Sequence, residues 1–480
     1  MKNKFTFFIS LFIAFVLLFQ VSFAEIVTVE KAQLVAKNLY FERVNLVKEN
    51  NVTYESIKFN DAITITRNSM PMYYVFNFVS ENGFVVVTAE SNAFPILAYS
   101  FESNFNVNNM NESVKDAMEN YENEIVAIRE KNLNADEETT NAWAKYSAIT
   151  MQKSGNEITT VGPLIKTTWD QDCYYNTLCP TAAGGPCNHA YTGCVATAMA
   201  QLMRYWSFPT TGLGSNAYTS IVSHNVNFAA QTYNWSAMPL SGLTSANSAE
   251  VAKIMYHAGV SVNMGYSAGG SSASTQQAAD ELKNHFRYST TTQYVSKSSY
   301  PNAQEWYIKI RSNLIDGKPV MYRGDGSSGG HAFIVDGFQY PQFFHINWGW
   351  GGSHDGYFYF TSLNSGNGDF TVAQGAIINC YPSTMAGNTT DIDENNSSNG
   401  IKIMPNPNNG HFSLLMNNAK NGNFTVSIMD ITSRVILKKT INKEYDVITE
   451  EMIVPELTNG FYFVSVEGSQ FKSINKFIVK

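Results

Sequence analysis

The chain has no basic block and no basic stripe. Its 32 lysines and arginines stand against 40 aspartates and glutamates, a formal charge of -8, so the electrostatic footprint expected of a nucleic-acid or anionic-membrane binder is absent. A second long apolar run is also missing. Beyond the first 24 residues nothing approaches the ~20 apolar residues that a membrane-crossing helix needs, which argues against stable membrane insertion. Cysteine is scarce, with 5 in 480 residues. Cys179, Cys187, His189 and Cys194 lack the Cys-x-x-Cys or His-x-x-x-His spacing of a zinc knuckle. No metal and no cofactor is implied.

What is present begins with Lys2 and Lys4 ahead of the apolar run "FTFFISLFIAFVLLF" and the small residues Ser22 and Ala24. This pattern predicts a secretory signal peptide over 1–24 and an exported mature protein. At 480 residues, with 44% apolar side chains, the chain is expected to form roughly two to four domains. In an oxidising compartment Cys173, Cys179, Cys187, Cys194 and Cys380 permit two disulfides and one free thiol. The pairing is open, and so is the fully reduced state.

Segment 25–150 carries 18 acidic against 10 basic residues, an excess that accounts for the whole formal charge of -8. "MYYVFNFV" and "FVVVTAE", joined through Ser80, Glu81, Asn82 and Gly83, predict a hairpin. A helix is predicted next, with Val114, Ala117, Met118, Tyr121, Ile125 and Ile128 on its apolar face and Glu112, Glu119, Glu122 and Glu124 towards solvent. Residues 130–157 read as a polar tether open to cleavage. A small acidic domain on a cleavable tether has the form of a pro-region; an ordinary accessory domain has the same features.

Segment 161–382 is rich in Gly, Tyr, Trp and Ser. In "HAYTGCVATAMAQLMRYW" the residues Val195, Ala198, Met199, Leu202, Met203 and Trp206 form the apolar stripe of a helix. Cys194 therefore sits at a helix N-terminus, where free N–H groups and the macrodipole favour a thiolate and can hold an oxyanion. "GGHAFIVDGF" and "FFHINWGWGG" predict two antiparallel strands carrying His331 and Asn347. Their pairing can bring the Asn347 carboxamide to the His331 ring, with the other ring nitrogen facing Cys194. The glycines beside both residues leave room for a substrate backbone. His345 shares a strand face with Asn347 but lacks that glycine setting, and His189 is too near Cys194 in sequence. His224, His257, His285, His354 and His411 read as surface or core residues.

The order Cys, His, Asn, with "TGCVATAMAQLMRYW", "GGHAFIVDG" and "HINWGWGG" and the lesser matches "YNW" and "GVSVNMGYSAGGSSA", resembles the streptopain family of papain-like cysteine peptidases over the whole of 161–382. The resemblance implies an α+β fold, with a papain-like catalytic domain made of a helix-bearing lobe and an antiparallel β lobe. It also implies an endopeptidase made as a zymogen, acting on protein or peptide substrates. Cys194 would be the nucleophile, His331 the base and then the acid, and Asn347 the residue orienting His331. Trp348 would pack over the His and Asn pair. Gln171, in "TTWDQDCYYN", stands where papain-like enzymes place the oxyanion-hole glutamine, although the cysteines around it depart from the family pattern. The hairpin, the helix and "FVVVTAESNAFPILAYS" resemble the family's propeptide, which makes 25–160 an intramolecular inhibitor, removed by a cut between about residues 132 and 161. By the same analogy a bulky apolar residue would precede the scissile residue. Thiol-dependent acyl transfer or amidase chemistry, or a non-catalytic adhesin on the same scaffold, remains open.

A polar linker, 383–400, precedes seven short strand patterns in 401–480, from "IKIMPNP" to "SINKFIVK", which predict a small β-sandwich. Phe412, Phe424, Phe461, Tyr462, Phe463, Phe471 and Phe477 fall mostly within strands and read as core. "MPNPNNGHF" and the closing "GFYFVSVEGSQFKSINKFIVK" resemble the C-terminal sorting domain of the type IX secretion system of Bacteroidetes. That resemblance implies passage by way of the periplasm and the outer-membrane secretion machinery to the cell surface or beyond.

Overall fold

A computed structural model describes residues 25–47, 52–60, 62–79, 83–149, 160–300, 303–326, 329–339, 342–360, 363–364, 374–387, 400–417, 421–430, 434–445, 447–454, 457–468 and 471–479. The signal peptide, residues 150–159 of the tether and 388–399 of the linker lie outside the described residues.

The N-terminal segment forms α1 (Val29–Val47), β1 (Ile63–Arg67), β2 (Met70–Asn77), β3 (Phe84–Thr88), β4 (Ile96–Ser100), α2 (Glu112–Lys131) and α3 (Glu137–Tyr146). The expected hairpin is β2 with β3, paired from Tyr73 opposite Thr88 to Asn77 opposite Phe84. The expected amphipathic helix is α2, which starts where Asn111 accepts the Val114 N–H (3.0 Å) and stops at Asn132 in a left-handed conformation. One expectation fails within it. Glu124 is buried, its Oε2 accepting the Leu363 N–H at 2.7 Å, because α2 is covered on a second side that its own periodicity cannot reveal.

The polar stretch read as a tether contains α3. Asp136 caps it by accepting the Thr139 N–H at 2.8 Å. Ala142, Trp143 and Tyr146 are buried, and the Trp143 indole donates to Ala93 O at 2.9 Å. A ten-residue helix with so few apolar contacts gives little periodic signal.

The next segment forms β5 (Thr160–Val161), α4 (Cys194–Trp206), a hairpin of β6 (Ser215–Thr219) and β7 (Ser223–Asn227), α5 (Ala249–Ser261), α6 (Thr275–Asn284), β8 (Gln293–Ser296) and α7 (Ala303–Ile315). β9 (Val320–Gly326), β10 (Gly329–Gln339), β11 (Phe343–Asn347), β12 (Gly356–Tyr359) and β13 (Gly375–Ile378) complete it. The class is α+β, as the sequence implies. The N-terminal strands do not form a separate sheet. They continue the later ones in the order β1-β2-β3-β4-β12-β11-β10-β9-β13-β8, with β5 also on β10. The join is antiparallel, Tyr99 opposite Tyr357 and Ala98 opposite Phe358.

Alternation along β10 assigns its two faces. Ala332 and Ile334 pack with α4 and α5 in one core. Phe333 and Val335 join a second core that runs unbroken into α1, α2 and the N-terminal strands. A third core belongs to the C-terminal strands β14 (Ile401–Met404), β15 (His411–Met416), β16 (Gly422–Asp430), β17 (Val435–Lys443), β18 (Ile448–Ile453), β19 (Gly460–Gly468) and β20 (Phe471–Val479). They make sheets β14-β15-β18 and β17-β16-β19-β20, the seven strands of the expected sandwich. Phe412, Phe424, Tyr462 and Phe477 are buried, whereas Phe461 is exposed.

His345 is a core residue. Its Nδ1 lies 2.6 Å from Asp336 Oδ1 and its Nε2 3.6 Å from Glu102 Oε1. Burial pulls its pKa down, but Asp336 and then Glu102 outweigh that and hold it at about 10. The folded value exceeds the unfolded one of about 6.5, so the stabilisation is fully present below pH 6.5 and is lost as pH rises through 10. In a Cys194→Ala background, which prevents self-digestion, His345→Ala should cost about 3–5 kcal/mol by leaving Asp336 buried without its partner. Urea titrations should show the difference at pH 6 and its decline above pH 10.

Candidate active site

Cys194 is the first residue of α4. Gly193, before it, has φ 89°, and a Cβ there would stand 2.7 Å from Met264 Sδ and 3.0 Å from Ser271 O. Only glycine lets the chain enter the helix at that point. Thr192 Oγ1 and Thr197 Oγ1, 2.9 Å apart, fasten the approach to the first turn. The residue as a whole is half-buried, and its Sγ accepts the Ala332 N–H at 3.5 Å. The helix start is thereby set directly against the strand that carries His331.

The sequence predicts a depressed thiol pKa, and here the direction is the opposite. Burial pushes the Cys194 thiol up, against the downward pull of N–H groups from Ala332, Val195 and Cys194 itself, with Glu112 adding to the rise. The helix N-terminus acts as expected, but the protein packed over the sulfur outweighs it.

His331 faces the N-terminal segment. Its Nε2 lies 3.5 Å from Asp116 Oδ2 and 3.8 Å from Glu112 Oε2, both on α2. No hydrogen bond joins it to Cys194 or Asn347 among the described residues. The expected Asn347–His331 contact is therefore not made in this state. β10 and β11 pair as expected, but Asn347 stands opposite Ile334, three residues beyond His331. Its Oδ1 accepts from Gln201 Nε2 (2.9 Å) and Gly349 N (3.1 Å), and its Nδ2 donates to Thr167 O (2.8 Å). The room expected beside the glycines is present at Gly329, where a Cβ would meet nothing within 4 Å, but is taken up at Gly330 and, on the facing strand, at Gly326. A Cβ on Gly326 would fall 2.2 Å from Asp116 Cγ, and one on Gly330 2.5 Å from Asp325 Oδ1.

Trp348 packs on Phe333 and Phe358, with ring centroids 4.8 and 5.1 Å apart. Its indole donates to His354 O at 3.2 Å, and its backbone N–H to Asp355 Oδ1 at 2.9 Å. Burial lifts the Asp355 carboxyl to about 7. Trp348, His331, Phe333 and Tyr322 share a cavity of about 90 Å³ with Asp116 and Tyr121 of α2. Gln171 is buried, and its side-chain Nε2 has no hydrogen-bond partner among the described residues. Its carbonyl accepts the Thr192 N–H at 3.0 Å, which fastens its backbone to the segment two residues ahead of Cys194.

Cys173 and Cys187 form a disulfide that closes the loop between Gln171 and Cys194. Cys179 and Cys380 are buried free thiols, so one bridge forms rather than two. Gln201 and Asp116 carry no mark in the sequence and Glu112 reads only as a solvent-facing acid, because nothing in local periodicity says what a polar side chain meets across the fold.

Residues 169–358 match the peptidase C10 family, 24–125 the Spi protease inhibitor family, and 402–480 the secretion system C-terminal sorting domain. Streptopain of Streptococcus pyogenes is 31% identical over 340 residues, which cover 64% of this chain and 80% of that protein. The chain belongs to the streptopain family, peptidase C10. A thiol protease/hemagglutinin of Porphyromonas gingivalis, PrtT, is 29% identical over 75% of this chain. The chain spans only 42% of the length of PrtT. Among solved structures, a fragment of Prevotella intermedia prointerpain A, 29% identical, superposes with a TM-score of 0.55 over 67% of this chain and 99% of that one. The inhibitor match fits the zymogen expectation, and the sorting-domain match assigns the chain to type IX secretion, to the cell surface or the extracellular space.

The two carboxylates facing His331 generate a prediction. The pair Glu112→Gln and Asp116→Asn preserves the size of both side chains while removing their charge. The purified precursor should then convert to mature length about tenfold faster, equal to about 1.4 kcal/mol in the barrier. A gel time course checks this; an unchanged rate would assign latency to sheet pairing alone.

Proposed function

We propose that this chain is a secreted cysteine endopeptidase whose nucleophile is Cys194. His331 is its base and acid, Asn347 orients the imidazole, Trp348 shields it, and Gln171 completes the oxyanion site. The observation that carries this reading is the seating of Cys194 Sγ on the backbone N–H next to His331, with the imidazole turned towards acidic groups of α2. On this reading the structure is the latent form, and departure of α2 frees the ring to meet the sulfur and Asn347.

In the freed site the thiol proton passes to His331, and the thiolate attacks the peptide carbonyl. Charge developing on the oxygen is met by the helix N-terminus and Gln171 Nε2. The C–N bond then breaks as the imidazolium proton goes to the leaving amine. Water, losing its proton to His331, attacks the thioester, and Cys194 leaves with that proton. Proteins or peptides are the substrates.

The proposed organisation is a signal peptide (1–24), an inhibitory pro-region with its tether (25–160), a catalytic domain (161–382), a linker (383–400) and a sorting domain (401–480). The buried faces of α3 support a maturation cut on the far side of residue 146, within the tether. The sorting domain is proposed to act from the periplasm, engaging the outer-membrane machinery.

Cys194→Ala should accumulate as precursor with no casein cleavage, and His331→Ala should do the same. Normal maturation of the cysteine variant, followed by gel and by casein hydrolysis, would remove Cys194 from the mechanism. Deleting 401–480 should leave casein cleavage intact but strand the enzyme in the periplasm of its host. Fractionation that finds the truncated chain outside the cell at the full-length level would end the sorting role.

A further inference from the structure

Gln201 lies two turns beyond Cys194 on α4, between the apolar residues Ala200 and Leu202, and is fully buried. Burying a carboxamide is unfavourable unless its bonds are made. Here none of the side-chain bonds goes to its own helix. Oε1 accepts from Thr167 Oγ1 (2.8 Å) and from the Trp169 N–H (3.2 Å), and Nε2 donates to Asn347 Oδ1 (2.9 Å).

The directions of these bonds are forced by backbone groups that cannot reverse. The Trp169 N–H can only donate, so the Gln201 oxygen must face it and the nitrogen must face Asn347. Thr167 O can only accept, so Asn347 Nδ2 must face it. Both amides are thereby locked, and Asn347 presents oxygen on its Gln201 side. An orienting group for an imidazole N–H must offer an acceptor. Had the carboxamide turned over, it would offer N–H groups, and the ring would be repelled or held in the wrong tautomer.

We propose that Gln201 is a positioning residue of the catalytic site. Together with Thr167 O and the Gly349 N–H it holds the Asn347 carboxamide in place, and it ties the nucleophile helix to the segment 167–169 that leads into Gln171. The inference rests on the reading of Asn347 as the orienting residue for His331.

The test uses full-length precursors processed in trans by wild-type enzyme, with active sites counted by titration with an alkylating agent. Gln201→Leu should lower kcat by roughly 10- to 100-fold, the scale of a small misplacement of reacting groups, with KM little changed. In an Asn347→Ala background the same substitution should cost less than about twofold further, because the two residues act in series. Gln201→Glu supplies the readout that packing alone would not move. A buried carboxyl has a raised pKa; protonated, it can donate to Asn347 Oδ1, and ionised, it opposes that oxygen. Its kcat relative to wild type should therefore fall with rising pH along a single-proton curve, and this measurement stands if Gln201→Leu fails to fold. A Gln201→Leu enzyme with wild-type kcat, an equal loss in both backgrounds, or a flat pH ratio for Gln201→Glu overturns the inference while leaving the Asn347 assignment intact. Full kcat in Asn347→Ala alone overturns both.

Discussion

Two residue pairs between β4 and β12 join the N-terminal segment to the catalytic sheet, and the latent arrangement depends on that join. Around it, Ser100 Oγ donates to Asp355 O at 2.6 Å, Tyr121 OH to Tyr359 O at 2.8 Å, and Phe94 stacks on Tyr359. With β4 fixed there, α2 lies against the face of the sheet over β9 to β12 and brings Asp116 and Glu112 to His331. Arg43 of α1, buried, reaches Gln339 of β10 at 3.5 Å. The inhibitor is therefore an extension of the sheet it inhibits, and one core serves both.

Latency in this arrangement works on the protonation and geometry of the site together. The packing that sets the His331 imidazole against Asp116 and Glu112 also buries the Cys194 sulfur, and that burial raises the thiol pKa. A helix N-terminus favours a thiolate only if the anion can also be solvated or paired. Both conditions change when α2 departs.

Much of this was legible in the sequence wherever a short-range pattern controls the outcome. The α4 stripe from Val195 to Trp206, the alternation along β10 and the seven strands of the sandwich all follow from periods of 3.6 or 2. The motifs around Cys194, His331 and Asn347 lie on the kinds of element expected of them, a helix start and two paired antiparallel strands. Long-range partners could not be read the same way. Glu124 reads as a solvent-facing acid on α2 until Leu363 meets it, Asp116 gives no sign of His331, and α3 is hidden in a polar stretch because its burial depends on Ala93 and its neighbours. The hydrogen bond expected between Asn347 and His331 is not made, because the Asn347 carboxamide is engaged by Gln201, Gly349 and Thr167. Gln201 is a polar residue amid apolar ones, a signal that something buried is being satisfied without any hint of what.

The continuity of the sheet also separates two events in time. A cut in the tether severs one covalent link, but β1 to β4, α1 and α2 remain bound through strand pairing and a shared core. Nicking and activation are then distinct steps, and the interval between them is the residence time of the severed segment. That interval ends by dissociation or when another molecule that is already active digests the segment. The second route feeds on its own product, so a population of precursors would pass through a silent lag and then convert together. β12, four residues long, becomes an outer strand once its neighbour leaves, short enough to offer little purchase for pairing with a second chain.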